Sequence, residues 1–223
     1  MKLLILQHEA DTPPGSTLEW LSLRHFDYEI QNSFELLNKK MNFDHYDGLI
    51  ICGGSMNVDQ ENKIPWLKNL KSEIKNAIQK NKKIFGICLG SQLLAEALGA
   101  QVQRMPQAEI GWHKVTLTFP FQKNDLMAFH WHYYQFSLPL GAERLGYTPA
   151  CPNQGFQFGK NILAYQFHPE TTESWVNECL VGHTPKENQL YQQSAEEILK
   201  LNTYLEGLKQ WYFTELDRFF VQK

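Results

Sequence analysis

The sequence predicts an α/β fold: a three-layer arrangement with a mostly parallel central sheet flanked by helices, a small antiparallel portion and a C-terminal helical extension. Three observations carry this expectation. Short apolar runs, the mark of strands buried on both faces, alternate with longer amphipathic stretches. After residue 100 apolar and polar residues alternate singly, as on a half-buried antiparallel strand. The tail carries one apolar stripe at helical spacing.

In chain order, Leu3–Leu6 is a buried strand. Pro13-Pro14-Gly15 breaks the chain, and Ser16 to His25 is helical through Leu18, Leu21 and Leu23. Gly48 to Cys52 is a second buried strand, ended by Gly53-Gly54. Pro65 opens a helix in which Leu67, Leu70, Ile74 and Ala77/Ile78 share a face, and Lys80, Lys82 and Lys83 crowd its C-terminal end. Ile84–Ile87 is a third strand, and Ser91 to Leu98 a helix stopped at Gly99. Val115, Leu117 and Phe119 alternate with Lys114, Thr116 and Thr118 in the antiparallel part, with Leu126–Phe129 and Ile162–Phe167 as further strands. Ser194 and Glu197 form a capping box, after which Leu201, Leu205, Leu208, Trp211/Tyr212, Leu216 and Phe219 continue one stripe.

The 223 residues suit one domain, 1–223, with a core over 1–170 and the helical extension over 171–223. A hydrophobic fraction of 43% with 20% charged residues excludes a disordered chain or a disulfide mini-scaffold. Lys plus Arg number 21 against 24 Asp plus Glu, a net charge of −3. Without a basic excess, nucleic acid is not an expected partner. Leu3–Leu6 is too short for a signal-peptide core, and no run approaches a membrane span, so neither membrane nor secretion is expected. The four cysteines then read as reduced thiols of a cytoplasmic protein.

The sharpest local signal is Gly86-Ile87-Cys88-Leu89-Gly90, a Gly-x-Cys-x-Gly between a buried strand and a helix. In a nucleophile elbow the strand turns abruptly into a helix and the nucleophile sits at the strained turn. The following helix points its N-terminal amides and dipole at the sulfur, which favours thiolate over thiol. Leu89 contributes the next backbone N–H, placed to hold an oxyanion. A buried core cysteine is the alternative, but four cysteines would supply only roughly 0.02 such flanked matches by chance. Cys52, Cys151 and Cys179 lack the setting and read as structural.

A thiol nucleophile needs a base. His168 closes a strand as Gln166-Phe167-His168-Pro169-Glu170, where Glu170 can orient the imidazole and stabilise its protonated form. Cys88, His168 and Glu170 together are the parts of a nucleophile–base–orienter triad. Gly53-Gly54 ends the second strand, where bare backbone approaches a substrate closely and offers a second oxyanion N–H at Gly54. A plain strand-ending turn is the competing reading of that pair. His130-x-His132 lacks a carboxylate or thiolate among its neighbours, so no metal and no cofactor are expected.

These residues, in this order, resemble the class I glutamine amidotransferase family, and most of all stand-alone relatives of the GMP synthase glutaminase domain. The matching strings run from about 48 to 170: GLIICGGSMNV, IPWL, FGICLGSQLLAEALGA, EIGWH, HWH-x-x-x-F-x-L-P and YQFHPE. The resemblance implies that Cys88 attacks the side-chain amide of glutamine, with His168 as base and Glu170 as its orienter. Gly54 and Leu89 would form the oxyanion hole, and water would release glutamate from a γ-glutamyl thioester. It also implies substrate-binding roles for Gly53 and Gln92, and for Trp131, Tyr133 and Tyr134 near the α-amino and α-carboxylate groups.

The related synthases usually carry Gly-Asp where this chain has Tyr133-Tyr134, which puts the amino-acid end of the pocket in question. No fused synthase domain is expected, so the partners are glutamine or a γ-glutamyl compound and, if ammonia is channelled, a separate synthase or acceptor subunit. Two other functions stay open. One is a γ-glutamyl hydrolase or peptidase acting on an amide larger than glutamine, favoured by the two tyrosines. The other is a non-catalytic binding subunit, which has no physical need for an intact triad.

Overall fold

The computed structural model describes residues 1–37, 40–118, 120, 124–184 and 189–221. In chain order the elements are β1 (Lys2–Gln7), α1 (Thr17–Leu23), β2 (Asp27–Asn32), β3 (Gly48–Ile51), α2 (Pro65–Gln79), β4 (Lys83–Ile87), α3 (Leu89–Ala97), β5 (Val102–Leu117), β6 (Asp125–Phe136), β7 (Glu143–Tyr147), β8 (Gly155–Phe158), β9 (Ile162–Tyr165), α4 (Glu173–Cys179), α5 (Ala195–Lys200) and α6 (Leu205–Leu216). Among the described residues the strands form one sheet in the order β2-β1-β3-β4-β9-β8-β7-β5-β6. The first five in that order pair in parallel, and the pairings from β9 to β6 are antiparallel.

Continuously apolar strands have a simple consequence. Successive side chains point to opposite faces, so each such strand feeds two cores. Leu3, Ile5, Ile50, Phe85, Ile87, Leu163 and Tyr165 face one side, where they meet Trp20 of α1 and Leu208, Tyr212 and Leu216 of α6. Leu4, Leu6, Leu49, Ile51, Ile84, Ile162 and Ala164 face the other, against Leu67, Leu70 and Ile74 of α2 and Leu93 and Leu94 of α3. The expected three layers are therefore present, with the C-terminal extension forming part of one of them. No helix among the described residues is long and apolar enough to cross a membrane.

The antiparallel part is larger than the sequence pattern suggests. β5 runs 16 residues through Pro106, a residue that cannot donate to a ladder, and the register shifts between Arg104 and Glu109 to absorb it. Phe119, read as part of this strand, lies outside the described residues. β2 is a polar edge strand, mostly exposed, and carries no apolar run to mark it. The capping box forms as expected, with Ser194 N–H donating to Glu197 Oε2 at 2.7 Å. The helical tail is broken, however, by a 3-10 turn at Asn202–Tyr204 and ends in a π turn at Asp217–Val221. Its apolar stripe survives the break, with Leu208, Tyr212, Leu216 and Phe219 buried.

Candidate active site

β3, β4 and β9 are neighbours in the sheet and parallel, so the chain leaves all three at the same edge. Gly53-Gly54 follows β3, Cys88 follows β4, and His168 lies shortly beyond β9. Topology thus gathers residues far apart in sequence at the carboxyl edge, where α/β sheets keep their clefts.

Cys88 is the single residue between β4 and α3. Its backbone stands at φ +48° and ψ −105°, a region that costs an L-residue on the order of 1–3 kcal/mol and persists only where the surroundings impose it. Here they do. Cys88 N–H donates to the Tyr165 carbonyl (2.9 Å) and Gly90 N–H to the Cys52 carbonyl (3.2 Å), while the Cys88 carbonyl accepts Ser91 Oγ (2.6 Å) and Gln92 N–H (3.1 Å). Gly90 is required by close approach, because a Cβ there would collide with the Ile51 carbonyl oxygen. Cys88 therefore heads α3 among first-turn amides that have no intrahelical acceptor.

His168 is fixed from several directions. Its N–H donates to the Phe129 carbonyl at 2.8 Å, and its carbonyl accepts Thr171 Oγ1 at 2.8 Å. The ring lies 4.6 Å from that of Trp175. Nδ1 meets Glu170 Oε1 at 2.8 Å, and the Cys88 side chain is close enough to act on the ring electrostatically. Burial alone would pull this imidazole down. Glu170 and the Cys88 sulfur outweigh burial and raise it to about 10. Glu170 is held in turn, its carbonyl accepting Ser16 N–H at 2.9 Å. The imidazole thus stands between its carboxylate partner and the cavity that Cys88 also lines, with Cys88 6% exposed and the other two 3%.

The two glycines divide their work. A Cβ on Gly53 would stand 2.8 Å from His168 Cε1 and 3.6 Å from Cys88 Cβ, so a side chain there would press on the imidazole. Gly54 and Leu89 line a cavity of about 290 Å³ together with Cys88, Gln92 and His168. They are close to each other, since a Cβ on Gly54 would lie 3.1 Å from Leu89 Cδ2.

Trp131, Tyr133 and Tyr134 also line this cavity. Tyr133 is 37% exposed with its ring 6.0 Å from the Arg104 guanidinium, and the Tyr134 hydroxyl donates to Asp59 Oδ2 at 3.5 Å. Both rings are tethered at the rim. Across from them Glu9 presents a carboxylate, fixed by Ser55 Oγ (2.7 Å) and Thr12 Oγ1 (2.9 Å). Thr12 belongs to the same loop as Glu9, but Ser55 comes from the loop after β3, a contact that the local sequence does not reveal.

Gln166 is the functional residue that sequence reasoning passed over. It is fully buried, and its Nε2 donates to Cys88 Sγ at 3.7 Å while its Oε1 accepts Gln92 Nε2 at 3.2 Å. Gln92 Nε2 also reaches the Tyr134 carbonyl at 3.5 Å, so that amide is committed to neighbours within the protein. Gln166 lies just beyond β9, where a bend replaces the strand that its apolar neighbours predict, so strand alternation does not mark it.

His130 and His132 are not without a carboxylate. Glu109, on β5, comes within 3.0 Å of His132 Nε2 across the strand pair, a partner that sequence proximity does not reveal.

The four cysteines are free. Burial pushes the Cys52 thiol far up and those of Cys151 and Cys179 up to about 12. Iodoacetamide at neutral pH should therefore alkylate Cys88 well before the others, including Cys179, which lines the same cavity. Peptide mass spectrometry showing equal labelling of Cys88 and Cys179 would argue against an activated sulfur.

Residues 20–179 match the family model described as glutamine amidotransferase class-I. The chain is 28% identical over 231 aligned positions to the glutamine amidotransferase-like protein YfeJ of Salmonella typhimurium, covering 96% of each. It is 28% identical over 164 positions to gamma-glutamyl peptidase 4 of Arabidopsis thaliana, covering 68% of this chain and 62% of that protein. A solved glutamine amidotransferase from Methylobacillus flagellatus matches at a TM-score of 0.90 with 26% identity, covering 100% of this chain and 96% of that one.

Proposed function

Because this chain belongs to the glutamine amidotransferase class-I family, we propose that it is a glutaminase, releasing ammonia from the side-chain amide of glutamine for an acceptor or a separate synthase. The observation that carries the reading is the strained Cys88 at the head of α3, lining one substrate-sized cavity with an imidazole that Glu170 meets at 2.8 Å.

In the proposed reaction the Cys88 sulfur attacks the amide carbon, and the carbonyl oxygen takes the electron pair. Backbone N–H groups of Gly54 and Leu89 hold that oxyanion. Protonated His168 gives its proton to the amide nitrogen, the C–N bond breaks and ammonia leaves. Neutral His168 then takes a proton from water, whose oxygen attacks the γ-glutamyl thioester. The C–S bond breaks, glutamate departs and the thiolate–imidazolium pair returns. Glu170 keeps the ring oriented and balances its charge throughout. Glu9 suits the α-ammonium group of the substrate.

Equal release of glutamate and ammonia from glutamine by the purified chain tests the proposal. No release from glutamine or from any γ-glutamyl amide would overturn it. Gln166→Leu should lower kcat roughly 10-fold while KM moves little, because a hydrogen bond to a charged group is lost next to the sulfur. Steady-state kinetics with an unchanged kcat would show that this bond plays no part.

A second reading, hydrolysis of a larger γ-glutamyl amide, is favoured by the aromatic rim of Trp131, Tyr133 and Tyr134 and by the likeness to a gamma-glutamyl peptidase. Replacing Tyr133→Gly together with Tyr134→Asp separates the two. If the rings restrict glutamine, the double change raises kcat/KM for glutamine by lowering KM. If they form a platform for a larger group, it weakens that substrate and spares glutamine.

A further inference from the structure

The pairing of β5 with β6 sets Glu109 directly opposite His132, and His130 lies two residues along the same strand, on the same face. All three are buried, Glu109 and His130 completely. Their facing atoms form a small triangle. Glu109 Oε2 lies 3.0 Å from His132 Nε2 and 3.7 Å from His130 Nδ1, and the two ring nitrogens are 3.3 Å apart. A triangle with these edges has a centre about 2 Å from every corner, the length of a Zn–N or Zn–O bond, and tetrahedral ligands at that bond length stand about 3.3 Å apart.

Hydrogen bonding around the triangle favours a cation over three bare lone pairs. His132 Nδ1 meets the Tyr134 carbonyl oxygen at 3.0 Å, and a carbonyl can only accept, so Nδ1 carries the hydrogen. In the neutral ring Nε2 is then a lone pair, turned toward the Glu109 carboxylate and His130 Nδ1. Without an ion, a hydrogen on His130 Nδ1 points to one neighbour at a time, His132 Nε2 at 3.3 Å or Glu109 Oε2 at 3.7 Å. A divalent ion engages all three atoms at once. A second layer supports two of the three groups: Glu109 Oε1 accepts Thr148 Oγ1 at 2.6 Å, its Oε2 accepts Gln154 Nε2, and the Tyr134 carbonyl orients His132, while His130 Nε2 is buried with no hydrogen-bond partner.

We propose that Glu109, His130 and His132 form a three-ligand site for a divalent transition ion, of the Zn²⁺ class, that clamps β5 to β6 behind the cavity. Two imidazoles and one carboxylate suit Zn²⁺ or Co²⁺, whereas Mg²⁺ and Ca²⁺ demand six or more oxygen ligands. His132 itself lines the cavity, and the Tyr134 carbonyl that orients it also takes Gln92 Nε2. The ion would thus fix the cavity wall without entering the chemistry at Cys88. The site does not depend on the glutaminase reading.

The test uses the full-length Cys88→Ser variant, because the thiolate–imidazole pair is itself a potential zinc ligand. After chelator treatment and dialysis, titration with Co²⁺ should saturate at one equivalent per chain with the intense visible bands of a four-coordinate ion. Zn²⁺ should bleach them and raise the melting temperature. His130→Ala should abolish saturable binding, and X-ray absorption of the Zn²⁺-loaded chain should show two imidazoles and no sulfur. Absence of stoichiometric Co²⁺ uptake would overturn the site, as would binding retained in His130→Ala. Should that variant fail to fold, sulfur scattering or a single imidazole in the absorption spectrum would overturn it equally.

Discussion

Cys88→Ala should abolish amide hydrolysis, with a loss on the order of 10⁴-fold or more in kcat, while leaving the chain folded. The size follows from the role. Without sulfur no thioester forms, and only the oxyanion hole and substrate binding remain to accelerate direct attack by water. The fold should survive because the strained φ of +48° is imposed by hydrogen bonds of the backbone around residue 88, which alanine keeps. Circular dichroism and a melting temperature within a few degrees of the parent would confirm that, since a change of about 1 kcal/mol moves a domain of this size by roughly 2–4 °C. Hydrolysis by this variant near the parent rate would sink the assignment of the nucleophile.

The second large effect concerns the base and its orienter, which should lose unequally. His168→Ala removes proton transfer from both half-reactions and should cost on the order of 10³- to 10⁴-fold in kcat. Glu170→Gln leaves an imidazole that still samples the productive geometry, so its loss should be roughly ten times smaller. A pH profile gives the independent readout. Glu170 is the largest influence raising His168 to about 10. Its removal lowers that value, and the high-pH fall in kcat/KM should move to lower pH. Stability follows the same sign: a histidine raised above its ordinary 6.5 contributes fully below that pH and loses its contribution as pH climbs toward 10. Glu170→Gln should flatten stability over that window. If Glu170→Gln proved the more damaging change in a folded chain, the roles of the two residues would be wrong.

Much of this site was legible because strand ends are legible. A short apolar run ended by glycine locates the carboxyl edge of a buried strand, and that rule placed both Gly53-Gly54 and Cys88. The grouping of Cys88 with His168 and Glu170 needed only the additional fact that β9 sits beside β4, which the parallel pairing supplies. What stayed hidden depends on contacts between distant segments. Glu109 reaches His132 through an antiparallel register whose bulge at Pro106 blurs the alternation of β5. That a Cβ on Gly53 would meet the His168 ring is likewise a tertiary fact. Gln166 lies within the string YQFHPE, but an amide near a sulfur has no spacing signature. In the tail the apolar stripe continues through the 3-10 turn at Asn202–Tyr204, so periodicity alone does not report the break.

The central claim is that catalysis passes through a γ-glutamyl group on Cys88. Acid quenching during steady-state turnover of glutamine, followed by peptide mass spectrometry, tests it directly. A γ-glutamyl adduct on the Cys88 peptide, absent from Cys88→Ala and lost on mild alkaline treatment as a thioester should be, is the predicted result. An adduct on a different residue, or undiminished hydrolysis by a chain whose Cys88 has been fully alkylated, would contradict it.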